Sequence, residues 1–136
     1  MINLEKKFNL STTSSKILSG FLSSKNFPSA ILITGGKEKD REALSIFIAK
    51  AILCTDDYVP CGKCRSCKKA DESSNPDILF YEKDKDRKTF SVEICKRITS
   101  DSIILPNECD YKVSIIKDAD LMESKAQNSL LKTLEE

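Results

Sequence analysis

The sequence contains no histidine, which removes the side chain most often used for proton transfer near neutral pH. Zinc sites of the Cys₂His₂ type are excluded for the same reason. Cationic and anionic side chains nearly cancel, because 22 lysines and arginines stand against 21 aspartates and glutamates, a formal net charge of +1. Bulk charge therefore gives no reason to expect a nucleic-acid or membrane partner, and any contact with DNA must be local or shared with other chains.

Long apolar runs are also missing. The most apolar stretch, Ile46–Cys54, is interrupted by Lys50 and is too short to span a bilayer. The opening residues, "MINLEKKFNLSTTSSK", have lysines but lack the apolar core and small-residue cleavage site of a secretory signal. We therefore expect a cytoplasmic protein with no membrane partner. A chain of 136 residues, 40% hydrophobic and 32% charged, is typical of one modest globular domain.

The apolar pattern predicts strands alternating with helices, at spacings too long for hairpins. This order indicates an α/β fold with a parallel sheet. Strands are expected at "SAILIT" (Ser29–Thr34), "PDILFY" (Pro76–Tyr81) and "YKVSIIK", the first two of them buried. A loose leader precedes one amphipathic helix ending near Phe27, and further helices are expected at "REALSIFIAKAILC", "SVEICKRITSD" and "ESKAQNSLLKTLEE". A capping box of Ser124 and Gln127 is expected to open the last of these, and "EKDKDRK" is interpreted as a solvated loop.

Four cysteines are concentrated in one short segment, "CTDDYVPCGKCRSC". The residues are Cys54, Cys61, Cys64 and Cys67. In a cytoplasmic chain such crowding favours metal binding over disulfides, and a Cys₄ set with these spacings fits a closed, structural zinc site. An iron–sulfur cluster, a redox C-x-x-C pair and four free thiols are the competing interpretations. Cys95 and Cys109 are isolated, and we interpret them as buried small apolar residues.

The segment "GGKEKDRE" follows a predicted strand and opens a predicted helix, where a phosphate-binding loop would lie. Such a loop has the pattern G-x-x-x-x-G-K-[ST], so that backbone N–H groups cradle phosphates while a lysine and a hydroxyl serve phosphate and Mg²⁺. After Gly35, the three decisive positions carry Asp40, Arg41 and Glu42. Two carboxylates there would repel a triphosphate. The competing interpretation is an ordinary turn and helix start, with Asp40 as N-cap and Glu42 near the positive helix end.

Three features occur in one order: a glycine turn after a predicted strand, a Cys₄ segment after the next helix, and "KVSIIKDADLMESKAQNSLLKTLEE". This resembles the N-terminal part of the AAA+ domain of bacterial clamp-loader subunits, the DNA polymerase III gamma/tau and delta prime family. That family inserts a Cys₄ zinc module after its P-loop helix, and "AQNSLLKTLEE" is similar to its characteristic "NALLKTLEEPP". The resemblance implies a partial AAA+ fold, P-loop NTPase-like, in which the Cys₄ segment holds structural zinc.

The resemblance also implies that the residues needed for ATP hydrolysis are missing from this sequence. ATP-hydrolysing gamma-type subunits have an intact P-loop and an Asp-Glu pair after their third strand, the Asp for Mg²⁺ and the Glu for activating water. Matched to this pair, the sequence has Lys117 where the Asp should be and Asp118 where the Glu should be. Both halves of the hydrolytic machinery are altered together, and "IIKDADLM" is similar to the "DDAD" form typical of delta prime, with its first Asp replaced. The resemblance therefore implies no catalytic residues, no ATP cofactor and no ATPase activity of the chain's own.

The function implied is that of a non-catalytic delta prime subunit, which works with gamma/tau and delta subunits to load the sliding clamp on primed DNA. Two alternatives remain open: a gamma/tau-type ATPase with a divergent P-loop, and a zinc module that binds nucleic acid directly. We expect a leader and helix over residues 1–28, an N-terminal AAA+ part over 29–136 and a zinc module at about 54–72. The family's middle strand and its Ser-Arg-Cys arginine finger would lie beyond Glu136, so we expect a fragment that is poorly stable alone.

Overall fold

The computed structural model describes residues 3–135 and divides the chain into two compact units, Met1–Asn75 and Pro76–Glu136. Residues 1, 2 and 136, at which the predicted leader begins and the predicted AAA+ part ends, lie outside the described residues. The domain boundary expected near residue 28 stays a prediction. Each unit has its own hydrophobic core.

The first unit is helical over its described residues. It contains α1 (Leu4–Phe8), α2 (Thr12–Ser24), α3 (Glu38–Leu53) and α4 (Arg65–Asp71). The expected loose leader is wrong, because α1 is a capped helix: the Asn3 side chain accepts a hydrogen bond from the Lys6 N–H at 3.2 Å. Asn9, at φ 54°, ends α1 in the left-handed conformation, and Ser11 then caps α2 through the Ser14 N–H.

The core of this unit lies between α1, α2 and the apolar side of α3. Its buried members are Leu4, Phe8, Leu18, Leu44, Phe47 and Ile48. The rings of Phe8 and Phe47 contact each other with centroids 5.0 Å apart and a tilt of 55°, a favoured arrangement for an aromatic pair. The helix predicted from "REALSIFIAKAILC" is therefore confirmed, and its packing holds the C-terminal end of α3 in place.

The strand expected at Ser29–Thr34 is wrong. The segment has no strand assignment, and its side chains are mostly exposed, Leu32 at 81%. Over residues 3–135, the strand pairing found is between two later segments, so Ser29–Thr34 belongs to no sheet there. An apolar run shows that burial is favourable, but a strand also needs a neighbour to accept and donate hydrogen bonds.

The second unit contains the sheet. β1 (Ile78–Tyr81) pairs in parallel with β2 (Val113–Ile116), in a register that aligns Ile78 with Val113 and Tyr81 with Ile116. Between them lies α5 (Val92–Ile103), and a 3₁₀ turn (Ala119–Leu121) and α6 (Ser124–Glu135) follow. The α/β class and the parallel pairing are confirmed for two strands. β1 is only partly buried, since Phe80 is 57% exposed.

Helices α5 and α6 cover one side of this short sheet with a shared core. Its buried members are Tyr81, Phe90, Ile94, Cys95, Ile98, Met122, Ala126 and Leu130. Cys95 is fully buried as expected, whereas Cys109 is half-buried. The expected capping box is wrong, because α6 already includes Ser124 and the Gln127 side chain donates instead to the Met122 carbonyl at 2.8 Å.

Candidate metal centre and the Gly35 loop

The four clustered cysteines come from three consecutive pieces of the first unit. Cys54 directly follows α3, Cys61 lies in the connecting loop, Cys64 is the N-cap of α4, and Cys67 lies in its first turn. Their Sγ atoms all lie within 4.8 Å of one another, and the Cys54 and Cys64 sulfurs are 4.0 Å apart. The structure therefore brings together all four cysteines that the sequence singled out.

Backbone N–H groups point at the sulfurs. The Cys61 N–H donates to the Cys54 Sγ at 3.4 Å, the Cys64 N–H to the Cys61 Sγ at 3.2 Å, and the Cys67 N–H to the Cys64 Sγ at 3.4 Å. Gly62, at φ 72°, gives the loop a left-handed step that a side chain would oppose. Each of these hydrogen bonds favours the thiolate form of the sulfur that accepts it, against the effect of burial.

The thiols differ in how easily they lose a proton. Burial raises the pKa of the Cys67 thiol to about 12 and raises that of Cys54 as well. Burial also opposes ionisation of Cys64, but N–H groups of Cys67 and Thr55 donate to its sulfur and lower its pKa to about 6. Cys64 is thus more readily ionised at neutral pH than Cys54 or Cys67. A metal ion that binds the sulfurs of Cys54 and Cys67 must displace their protons.

The donor set fits one tetrahedral ion. Bonds of about 2.3 Å to zinc place the sulfurs about 3.8 Å apart, close to the separations seen here. Three cationic side chains, Lys63, Arg65 and Lys68, are exposed around the cluster, and the partly buried Lys69 adds a fourth charge. Four thiolates around a divalent ion leave a negative complex, which these charges offset.

The Gly35 loop is held by its own arginine. Gly35 and Gly36 have φ values of 77° and 62°, and the Arg41 Nη1 donates to both of their carbonyl oxygens at 2.8 Å. Helix α3 begins at Glu38 with Lys37 as N-cap, so the expectation of Asp40 as N-cap is wrong. Asp40 instead lies in the first turn, where a carboxylate still interacts favourably with the helix dipole. Glu42 follows it on the exposed surface of α3.

The other two residues predicted for the degenerate nucleotide site, Lys117 and Asp118, belong to the second unit. They follow β2, and the Lys117 N–H donates to the Tyr81 carbonyl at 2.9 Å, extending the sheet pairing by one bond. Asp118 has φ 53° and precedes the 3₁₀ turn, without a side-chain hydrogen bond to cap it. The nucleotide-binding interpretation of all six residues stays a prediction.

Two buried polar residues were missed by sequence reasoning. Asn75 is 7% exposed and contacts Ser66 between two of the cysteines. Asp77 is fully buried, and its carboxylate accepts from the N–H groups of Glu108 and Cys109 at 2.8 and 2.7 Å. The available signal was the placement of polar residues around Pro76, immediately before an apolar run. That pattern indicates a turn but does not show which distant backbone groups the side chains reach.

Comparison with known proteins defines the class of the chain. The sequence model of the family described as "DNA polymerase III, delta subunit" matches residues 10–136, and the chain belongs to this family of clamp-loader subunits. Among curated proteins, DNA polymerase III subunit tau of Bacillus subtilis is 30% identical over 123 residues, covering 89% of this chain and 21% of that protein.

Two relatives are named as delta prime subunits. DNA polymerase III subunit delta' of Bacillus subtilis is 29% identical over 123 residues, covering 89% of this chain and 36% of that protein. The corresponding subunit of Escherichia coli is 29% identical over 109 residues, covering 79% of this chain and 33% of that protein. The chain thus spans between about one fifth and about one third of these relatives' lengths. Within the described residues, every helix is too short or too polar to cross a bilayer.

Proposed function

We propose that the chain is part of a non-catalytic clamp-loader subunit of the delta prime type, with a partial AAA+ fold. Membership of the DNA polymerase III family supports the clamp-loader role. The relatives themselves do not separate the delta prime type from the gamma/tau type, because their identities of 29% and 30% are nearly equal. The choice between the two types therefore rests on the Gly35 loop.

The observation that carries the choice is the contact between Arg41 and the loop carbonyls. In a working P-loop the cation at this position reaches the terminal phosphates, while the loop N–H groups surround them. Here the Arg41 guanidinium donates to the carbonyls of Gly35 and Gly36, both at 2.8 Å, so the cation is held by its own loop. Asp40 and Glu42 add negative charge beside it. At about 4 Å, two like charges repel by roughly 1 kcal/mol in water and about 4 kcal/mol at an effective dielectric of 20.

Calorimetric titration with Mg·ATP tests this assignment. The chain is expected to show no heat of binding at ligand concentrations up to the millimolar range, and no Mg²⁺-dependent release of phosphate. Arg41→Ala is expected to free the loop carbonyls without restoring nucleotide binding, because the two carboxylates remain. Binding with Mg²⁺-dependent phosphate release by the unaltered chain would establish the alternative, a gamma/tau-type ATPase with a divergent loop.

We further propose that Cys54, Cys61, Cys64 and Cys67 hold one structural zinc ion. Sulfurs within 4.8 Å of one another suit a single ion, whereas an iron–sulfur cluster places several iron atoms between its thiolates and needs wider separation. With all four positions taken by sulfur, the ion has no open position for substrate and supplies only folding energy. Metal analysis of the purified chain is expected to give one zinc per chain. Far less than one, with four titratable thiols, would contradict the assignment.

As partners we propose gamma/tau and delta subunits, and through them the sliding clamp and primed DNA, in the cytoplasm. Exposed apolar side chains such as Leu32 and Leu105, at 81% and 82%, are surfaces that a subunit would cover on assembly. The test is co-elution of the full-length protein with purified tau and delta subunits. Strong DNA binding by this chain alone, falling steeply with salt, would instead favour a zinc module that binds nucleic acid.

A further inference from the structure

A tight reversal of the chain follows helix α4. The Ser74 N–H donates to the Lys69 carbonyl at 2.8 Å and the Ser73 N–H to the Ala70 carbonyl at 3.1 Å, and Ser73 has φ 58°. This pair of bonds around a left-handed residue is the Schellman motif. It turns the chain back along α4, and residue 75 consequently returns to the beginning of the helix.

There Asn75 meets Ser66. The Asn75 Nδ2 donates to the Ser66 backbone carbonyl at 3.1 Å and to the Ser66 Oγ at 3.2 Å. Both residues are buried, Asn75 at 7% and Ser66 at 9% exposure. Hydrogen bonds at a buried site are costly to lose, because the remaining polar partner stays desolvated.

Ser66 lies between two of the four sulfur-bearing residues. Cys64 is the N-cap of α4, and Cys67 lies in the first turn and donates its N–H to the Cys64 sulfur. With only seven residues, α4 is too short to hold this turn rigid by its own hydrogen bonds. The Asn75 amide fixes the backbone at the point from which both side chains leave.

At its opposite end, α4 is linked to the rest of the unit by an ion pair. The Lys50 Nζ lies 2.7 Å from the Asp71 carboxylate, and this links α4 to α3. The Asp71 side chain is 54% exposed, and such an ion pair contributes little in water. The buried amide is therefore a stabilising contact at the metal-binding end, and the ion pair, with Lys50 17% and Asp71 54% exposed, serves as a control for it.

We propose that Asn75 is a positioning residue for the metal site, holding Cys64 and Cys67 at ligand distance through Ser66. The inference rests on the proposed zinc site. Asn75 is not one of the four proposed ligands; it acts by pre-organising the turn that carries two of them. Partners of this outer kind usually change metal affinity by about 10–100-fold when they are removed.

The test is titration of the metal-free, reduced chain with Co²⁺, followed by competition with Zn²⁺ and a chelator. Asn75→Leu keeps the volume and burial of the side chain but removes its donors, and Asn75→Ala removes the side chain. Each is expected to weaken Zn²⁺ binding about tenfold. Each should also weaken the visible Co²⁺ bands that report tetrahedral geometry. Ser66→Ala should add little to Asn75→Leu, because both act through one contact.

Two controls separate positioning from general loss of stability. Asp71→Asn removes the ion pair between α4 and Lys50, and Asn128→Ala alters an exposed amide in the second unit. The zinc affinity of each variant is expected to lie within threefold of that of the unaltered chain. If the Asn75 variants bind with unchanged affinity and unchanged bands, the positioning role is wrong while the zinc site stands. If the unaltered chain binds neither metal, the zinc proposal itself fails. Should Asn75→Ala not fold, Asn75→Leu decides the question alone.

Discussion

At the scale of single residues, Asp77 shows how backbone N–H groups can stabilise a buried carboxylate. Its two oxygens accept from N–H groups of three successive residues, Asn107, Glu108 and Cys109, in the loop before β2. Burial opposes the charge, but the N–H groups of these three residues and the Cys109 side chain lower the pKa of Asp77 to about 2. Asp77 therefore stays ionised inside the protein and joins β1 to the loop that leads into its partner strand.

The first prediction is that Asp77→Asn lowers the free energy of unfolding by about 2 kcal/mol at pH 7. A depressed pKa adds stability above the unfolded value of about 3.9, and this is lost as pH falls through about 2. The difference between variant and parent should therefore shrink from pH 7 to pH 2.5 in urea titrations. Asp120→Asn, at an exposed position, is the control and should change little. Equal destabilisation at both pH values would count against the role of charge.

The second prediction concerns the pH dependence of zinc binding. Cys54 and Cys67 have raised pKa values and are thiols at neutral pH, so binding must expel their protons. Apparent zinc affinity should then rise more than tenfold per pH unit between pH 6 and 8, because more than one proton is released. Chelator competition at several pH values measures this slope. Cys95→Ser should leave the slope unchanged, and a slope near zero would show that the thiols are already ionised.

At the scale of elements, α4 depends on its surroundings more than the longer helices do. We predict that removing zinc from the proposed site by chelation unfolds α4, because a seven-residue helix is not stable in water by itself. Hydrogen exchange should accelerate over residues 65–71, while α5 in the second unit keeps its protection. Cys67→Ser should give the same pattern without chelator. Unchanged protection of α4 after metal removal would show that its packing alone maintains it.

The elements also show which information a sequence carries. Helices α3 and α5 and both strands could be predicted, because apolar spacing records which side of an element faces the core. The segment Ser29–Thr34 could not, because its apolar run does not say whether a neighbouring strand is present to pair with it. Helix α1 was missed, since five residues are too few for a periodic pattern to appear.

The candidate site likewise contains residues that the sequence predicts and residues that it does not. The cysteines were found from spacing alone, because metal ligands must be a fixed residue type and these lie close together in the chain. Asn75 was missed because a Schellman reversal has to be formed before its amide meets Ser66. The hydrogen bonds from Arg41 to the glycine carbonyls were missed for a similar reason. It depends on the left-handed φ values of Gly35 and Gly36, which only the folded loop shows.

At the scale of the whole molecule, large apolar side chains are exposed to solvent in both units. Leu32 is 81% exposed in the first unit, and Ile103 and Leu105 are 79% and 82% exposed in the second. The sheet of the described residues has two strands, fewer than an independently stable sheet usually needs. From these features we predict that the chain by itself has low stability.

The last prediction follows from this surface. The isolated chain should unfold at low urea concentration, with a free energy below the usual range of about 5–15 kcal/mol, and should bind apolar dyes before unfolding. Urea titration followed by circular dichroism gives the free energy, and light scattering shows self-association. A soluble monomer that unfolds in one cooperative step within the usual range would contradict the prediction.

The spacing of contacts along the chain has a consequence for synthesis on the ribosome. All four sulfurs lie between Cys54 and Cys67, so the metal site closes over a short loop, whereas Asp77 must reach Glu108 across 31 residues before β2 can pair. Short loops close first because they lose less chain entropy, and N-terminal segments emerge first. We therefore expect the proposed metal site to close while the sheet is still being made, so that metal supply would act on an early folding step of the nascent protein.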